Sequence, residues 1–252
     1  MSNRSLSDLV PRISRGLGRF LPTRPRLVQS SQPMISFTFD DVPDSAFLNG
    51  ARLLEEQGLR GTFYIAPGIC GSHDTHWRVI TRDQVAELSR RGHEIGCHTY
   101  GHVPVQSLSI AELGKDDQRC RDALKLICGD VPLKSFAFPY GNVGFPAKWK
   151  MQSLYETCRG IRLGTNRGLV DFSMLCVREL YDSVLDPAGI DQLLDGLMRR
   201  GGWLVFYTHD VTDQPSQIGC TPKLLDYAIK AAISRGIACP PVSSATTFRL
   251  HY

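Results

Sequence analysis

Two aspartates stand side by side where an apolar run ends: Ile35-Ser36-Phe37-Thr38-Phe39 leads straight into Asp40-Asp41. Adjacent carboxylates repel, so a metal ion or an arginine must lie near them if both stay charged. One can then ligate a metal while the other takes a proton. A second run, His93-Glu94-Ile95-Gly96-Cys97, leads into His98-Thr99-Tyr100-Gly101-His102. The four-residue spacing predicts that His98 and His102 share one face of a helical turn and grip one divalent ion. Two histidines and an aspartate leave a coordination position open for water, as a hydrolytic zinc-type centre requires.

Two more apolar runs end in polar groups, Phe136-Ala137-Phe138-Pro139-Tyr140-Gly141 and Trp203-Leu204-Val205-Phe206-Tyr207-Thr208-His209-Asp210. A turn after Pro139 aims the backbone N–H of Tyr140 at a developing oxyanion. His209 is placed to act as a general acid.

Residues of this kind need rigid elements beneath them. From residue 34 onward short apolar runs alternate with amphipathic stretches, the pattern of repeated βα units. The runs predict strands over 34–39, 60–65, 93–97, 135–138, 159–163, 174–178, 203–208 and 236–239, with helices over 44–57, 82–91, 109–128, 146–157, 187–200 and 221–235. Gly58, Gly92, Gly129, Gly201 and Gly236 stand where those helices should end. At 252 residues the chain has the usual length of one α/β barrel, whose chemistry collects at the C-terminal ends of its strands. The expected organisation is an arm over 1–33 and one barrel-like domain over 34–252.

In order and spacing these pieces resemble the polysaccharide deacetylase family, the NodB-homology domain of carbohydrate esterase family 4. Thr38-Phe39-Asp40-Asp41 matches its T-F-D-D, and Gly92 to His102 matches its G-H-E-I-G-x-H-[ST]-x-x-H. The resemblance implies a distorted (β/α) barrel of about seven strands. It implies that Asp41, His98 and His102 bind a divalent ion, zinc first with cobalt, nickel or manganese as substitutes, and that Asp40 is the catalytic base. His209 matches the general acid, and Tyr140 the residue whose N–H holds the oxyanion. The implied activity removes an N-acyl group, acetyl first, from an amino sugar in a glycan, an oligosaccharide, or a nucleotide- or lipid-linked precursor. An N-deformylase, or another linear-amide hydrolase, of the same family is the alternative.

The sequence departs from the family pattern in three places. Ala137 holds the position of an arginine that steadies the base, and Arg178, near the end of a later strand, is expected to replace it. Tyr207 stands where a leucine is usual, which alters the acyl pocket. The fourth motif, which orients the histidine, has only Asp171 as a weak counterpart. His73 and His76 are expected in a solvated loop. Ala137 and the unmatched fourth motif also motivate a rival from another class, an idle carbohydrate-binding protein that keeps its metal site; retention of Asp40 and His209 weighs against it.

Charge and cysteines narrow the partners. Residues 1–26 carry six arginines and one aspartate, so the overall +4 sits in the arm and the other 226 residues carry a net −1. That excludes a basic nucleic-acid-binding fold. Leu6, Leu9, Val10, Ile13, Leu17, Phe20 and Leu21 recur at near-helical spacing among those arginines, with Pro11 placed to open the helix. Such a helix suits peripheral contact with an anionic membrane face through residues 1–26, or packing on the domain. The start lacks the apolar stretch of a secretory signal, so a cytoplasmic location is expected. The eight cysteines are scattered without a CxxC pair and are expected as thiols.

Overall fold

Seven of the apolar runs become parallel strands of a closed barrel. The computed structural model describes residues 14, 16–28, 32–73 and 76–247. Its barrel strands are β2 (Met34–Phe39), β3 (Thr62–Ile65), β4 (Glu94–Cys97), β5 (Ser135–Ala137), β6 (Thr157–Leu163), β8 (Leu175–Glu179) and β9 (Trp203–Thr208), neighbours in that order. The ring closes where all six residues of β2 pair in register with β9. This is the expected distorted (β/α) barrel of about seven strands; of the eight runs read as strands, one does not join it. The run 236–239 makes only a single bridge, Ala238 to Met34. Pro240 and Pro241 follow at once, and prolines lack the N–H that would continue the ladder.

Two short strands lie outside the barrel. β1 (Pro25–Val28) pairs antiparallel with β7 (Gly168–Asp171). Residues 25–28 of the expected arm are therefore strapped to the domain. The predicted helix opening at Pro11 lies outside the described residues, although residues 16–20 are helical.

The connecting helices follow the expected positions closely. After a π-helical turn at Ala46–Ala51 come α1 (Arg52–Glu56), α2 (Arg82–Arg90), α3 (Ile110–Cys128), α4 (Phe145–Gln152), α5 (Pro187–Arg200), α6 (Pro222–Ser234) and α7 (Val242–Ala245). Thr81 with Gln84 and Ser109 with Glu112 form capping boxes that start α2 and α3. Asp186 and Thr221 cap α5 and α6, each followed by a proline at the first helical position. Among the described residues no helix is long and apolar enough to cross a membrane.

Alternation along the strands sends Ile35, Phe37, Phe39 and Phe206 into the apolar layer between barrel and helices. The opposite face fills the barrel with a second apolar cluster, Met34, Leu175, Val177 and Val205 among it, and with polar groups. At its floor Glu94 accepts hydrogen bonds from Thr62 Oγ1 (2.8 Å), Ser135 Oγ (2.7 Å) and the Ser243 N–H (2.9 Å). Trp203 Nε1 donates to Ser36 Oγ, which donates on to the Pro240 carbonyl. Burial pushes the Glu94 carboxyl above its usual range against those donors. Above the floor lies Tyr64, packed so tightly on Gly96 that any Cβ there would collide with its ring. That contact explains the second glycine of the Gly-His-Glu-Ile-Gly run.

Candidate metal centre and active site

Asp41, His98 and His102 offer ligand atoms that all lie within 4.8 Å of one another. Asp41 follows β2, His98 follows β4, and His102 sits on the loop beyond it. His102 Nε2 lies 2.8 Å and His98 Nε2 3.2 Å from Asp41 Oδ1. The two histidines do not share a helical turn, contrary to the spacing argument; residues 98–102 are irregular. They meet because Thr99 (φ 61°) and His102 (φ 53°) bend the loop back on itself. Among the described residues the non-glycine positions with positive φ are Asp41, Val42, Thr99, His102 and Tyr140, all in the three segments around this corner. Each such position costs on the order of 1–3 kcal/mol, so the rest of the fold holds this corner in place.

The electrostatics of the corner call for a cation. His98 Nδ1 lies 2.8 Å from the Ala137 carbonyl, which can only accept, so Nδ1 carries the proton and Nε2 turns toward Asp41. Asp41 Oδ1 is buried and receives no hydrogen bond. Burial would raise the Asp41 carboxyl, but His102 and His98 together hold it far below the usual carboxylate range. Burial likewise disfavours charge on His98, and the Asp41 contact and the neighbouring carboxylates overcome it, raising its pKa. Two imidazole nitrogens set around the orphaned carboxylate oxygen of Asp41 fit a divalent metal ion.

Asp40 sits one residue away and is 5% exposed. Its cation is Arg159 on β6, whose Nη2 contacts Asp40 Oδ1. Arg178 does not play the expected part. It alternates with the inward-facing Val177 and lines a cavity with Leu163, Val184 and Leu193 on the α5 side of the sheet. Arg159 reaches Asp40 because β5 and β6 pair Ala137 directly with Arg159. The guanidinium thus comes from the next strand at the same level, over the small Ala137. Its carbon lies 4.5 Å from the Tyr64 ring centre and 5.4 Å from that of Tyr207. Burial opposes charge on Arg159, but Asp40 more than compensates and raises its pKa. Tyr207 in place of leucine therefore provides a cation–π wall for the relocated arginine.

His209 follows β9, and its Nε2 lies 3.9 Å from Asp41 Oδ2. Trp77 stacks on it with ring centres 6.0 Å apart, and Tyr181 and Tyr207 flank it at 6.1 and 6.2 Å. Its Nδ1 donates to the Ile218 carbonyl at 3.0 Å. Asp171 does not orient it: that carboxylate pairs with buried Lys148 (2.6 Å) and accepts from Arg24 N and Ser173 Oγ. Tyr140, at φ 58°, lies beside His102 with ring centres 4.6 Å apart. His73 and His76 are both exposed, and His76 touches Trp77.

The family profile described as polysaccharide deacetylase matches residues 28–154, which include every ligand of the metal corner. The chain belongs to the polysaccharide deacetylase family. Among curated members, a chitin deacetylase from Pestalotiopsis sp is 31% identical over 97 residues, which is 38% of this chain and 31% of that protein. The Colletotrichum lindemuthianum chitin deacetylase is 26% identical over 127 residues, 48% of each chain. This deacetylase-family chain thus spans half or less of the length of those relatives. The solved structure of the Colletotrichum lindemuthianum enzyme aligns with a TM-score of 0.62 at 20% identity, covering 86% of this chain and 89% of that one. A Bacillus subtilis family 4 carbohydrate esterase aligns with a TM-score of 0.60 at 12% identity, covering 98% and 91%. The fold is that of the family.

Sequence reasoning missed Arg159, Trp77 and the Ile218 carbonyl. Arg159 had a signal: it is an arginine inside the run Thr157-Cys158-Arg159-Gly160-Ile161, where an unpaired charge would be costly. A backbone carbonyl leaves no trace in residue type, and Trp77 reads as an ordinary loop aromatic.

Proposed function

We propose that this chain is a metal-dependent N-deacetylase of amino sugars. The observation that carries the reading is the convergence of Asp41, His98 and His102 beside a buried Asp40–Arg159 pair. A divalent ion held by the three ligands supplies Lewis acidity toward an amide carbonyl and lowers the pKa of water toward about 7. Asp40, paired with Arg159, accepts the proton of the attacking water. The backbone N–H of Tyr140 faces the oxyanion as the carbonyl carbon becomes tetrahedral. His209 then delivers a proton from Nε2 to the departing nitrogen, and the C–N bond breaks to give an amine and a carboxylic acid. Trp77, Tyr181 and Tyr207 enclose the acid and exclude water around it.

The substrate class is an N-acetylated amino sugar, a reading supported by the chitin deacetylases among its relatives. Lipid-linked forms fit the arm, where exposed Leu17, Phe20 and Leu21 flank Arg19 and suit contact with an anionic membrane surface. Cosedimentation with phosphatidylglycerol vesicles but not phosphatidylcholine vesicles tests that contact. The central experiment strips the chain with a chelator, reloads it with Zn²⁺ or Co²⁺, and measures acid release. Its substrates are penta-N-acetylchitopentaose and a nucleotide-linked N-acetylamino sugar, with their N-formyl analogues. Metal-dependent acetate release is the expected result. Formate release alone makes the enzyme a deformylase, and a metal-loaded chain that releases neither acid overturns the reading.

A further inference from the structure

The general acid of this enzyme is oriented by a backbone carbonyl, and the loop that presents the carbonyl is closed by one buried carboxylate. The loop runs from Asp210 to Cys220, directly after His209 and β9. Asp210 is 5% exposed. Its Oδ2 accepts the Ser216 N–H at 2.8 Å, and its Oδ1 accepts the Ser216 hydroxyl at 2.7 Å. The same hydroxyl oxygen accepts the Ile218 N–H at 3.3 Å. The Ser216 carbonyl accepts the Gly219 N–H at 3.2 Å, and the Asp210 carbonyl accepts the Cys220 N–H at 2.9 Å. Gly219 lies so close to the Asp210 carboxylate that a Cβ there would collide with it. The chain of contacts ends at Ile218, whose carbonyl takes the Nδ1 proton of His209.

From this connectivity we infer that Asp210 is a positioning residue: through Ser216 and Gly219 it sets the Ile218 carbonyl, and so fixes which ring nitrogen of His209 faces the metal corner. The inference rests on the deacetylase reading for its meaning but not for its physical content. A carbonyl can only accept, so it holds the proton on Nδ1 and leaves Nε2 to exchange a proton with the substrate. Without the loop the imidazole would be free to turn about its side-chain torsions or take the other tautomer. Asp171, which the sequence offered for this task, is occupied by Lys148 of α4.

The test compares Asp210→Ala and Gly219→Ala with Asp213→Asn, which alters an exposed acid of the same loop. Each full-length variant is loaded with Zn²⁺, and three quantities are read: Zn²⁺ affinity by calorimetry, kcat and KM on the substrate the wild type hydrolyses, and the ¹⁵N signature of the His209 ring. Asp210→Ala and Gly219→Ala are expected to lower kcat by roughly 10–100-fold, a share of what a general acid contributes. KM and Zn²⁺ affinity stay within about threefold of wild type, and the Nδ1–H signature of His209 is lost. Asp213→Asn keeps the wild-type values. Unchanged kcat with an unchanged ring signature overturns the inference, as does a fall in Zn²⁺ affinity parallel to kcat, which would mark general damage to the barrel mouth. Should the wild type hydrolyse no N-acyl sugar, the deacetylase reading fails by itself, and the ring signature still decides whether the clasp sets the tautomer.

Discussion

The barrel interior holds two polar clusters, and they differ in whether their groups are satisfied. At the floor Glu94 accepts three hydrogen bonds, and Ser36 and Trp203 complete each other. At the mouth Asp41 Oδ1 is buried with no donor, and the backbone around it is bent into left-handed conformations. A floor group missing its partners would cost about 1–3 kcal/mol, and Glu94, Ser36 and Trp203 all have theirs. At the mouth the orphaned oxygen and the strain persist together, which is the arrangement expected where a cation completes the site. The contrast separates a polar group that builds the barrel from one that awaits a partner.

The largest expected effects test that contrast. His102→Ala removes a ligand and, of packing, only its ring contacts with Tyr140 and His98 at the mouth, so bound Zn²⁺ falls below about 0.1 equivalent and acid release drops to the metal-free background. Its thermal midpoint stays within a few degrees of that of the metal-free wild type, because an alanine at the same positive φ bears much the same strain and the side chain lies at the barrel mouth rather than in the core. Glu94→Ala does the reverse. It strands Thr62, Ser135 and the Ser243 N–H and opens a cavity, costing about 3 kcal/mol or roughly 6–12 °C in Tm. Zn²⁺ stoichiometry, read by elemental analysis, remains near one. The comparison breaks if Glu94→Ala loses the ion or if His102→Ala loses the fold.

The next effect concerns the arginine that changed strands. Arg159→Ala leaves Asp40 buried without its cation, and kcat is expected to fall about 10²-fold while Zn²⁺ remains bound. Because Ala137 and Arg159 are directly paired, adding Ala137→Arg to Arg159→Ala places a guanidinium at the same level on the neighbouring strand. The double variant should regain at least tenfold in kcat. Arg178→Ala, on the other side of the sheet, should leave kcat within about twofold. A double variant no better than Arg159→Ala would show that Asp40 requires the Tyr64–Tyr207 cradle as well as the charge.

Most of the barrel was legible because each strand is a short apolar run and α2, α3, α5 and α6 open on capping residues. The α5 boundaries Pro187–Arg200 coincide with the expected ones, since Asp186-Pro187 and Gly201 mark both ends. The metal ligands were legible because residue type and the strand-end position both point to them. What stayed hidden was set by relations between strands. Replacement of one arginine by another depends on the β5–β6 register, which no single run encodes. The histidine spacing misled for a related reason: a four-residue interval suits a helical turn, but here two positive-φ residues bring the same atoms together. The orientation of His209 depends on a carbonyl, and a carbonyl carries no residue identity.

The smallest expected effect lies outside the barrel, where β1 is strapped to β7. Lys148 is fully buried, yet its ammonium has two partners, Asp171 Oδ2 at 2.6 Å and the Leu21 carbonyl at 2.7 Å. Burial raises the Asp171 carboxyl, but Lys148, Ser173 and the Arg24 N–H outweigh it and leave its pKa below the usual value. A depressed carboxyl pKa stabilises the folded state above the unfolded value near 3.8 and loses that contribution as pH falls through the lower folded value. The strap should therefore hold at neutral pH and release only in strong acid, below about pH 4. Asp171→Asn is expected to remove this acid step from the stability profile and to lower stability at pH 7 by about 1–3 kcal/mol, since Lys148 keeps only the Leu21 carbonyl. Hydrogen exchange on residues 23–28 reads the release directly: in the variant these amides should exchange faster while those of β2 and β9 remain protected. If β2 and β9 lose protection with them, the strap is part of the barrel's cooperative unit and its separation from the floor disappears.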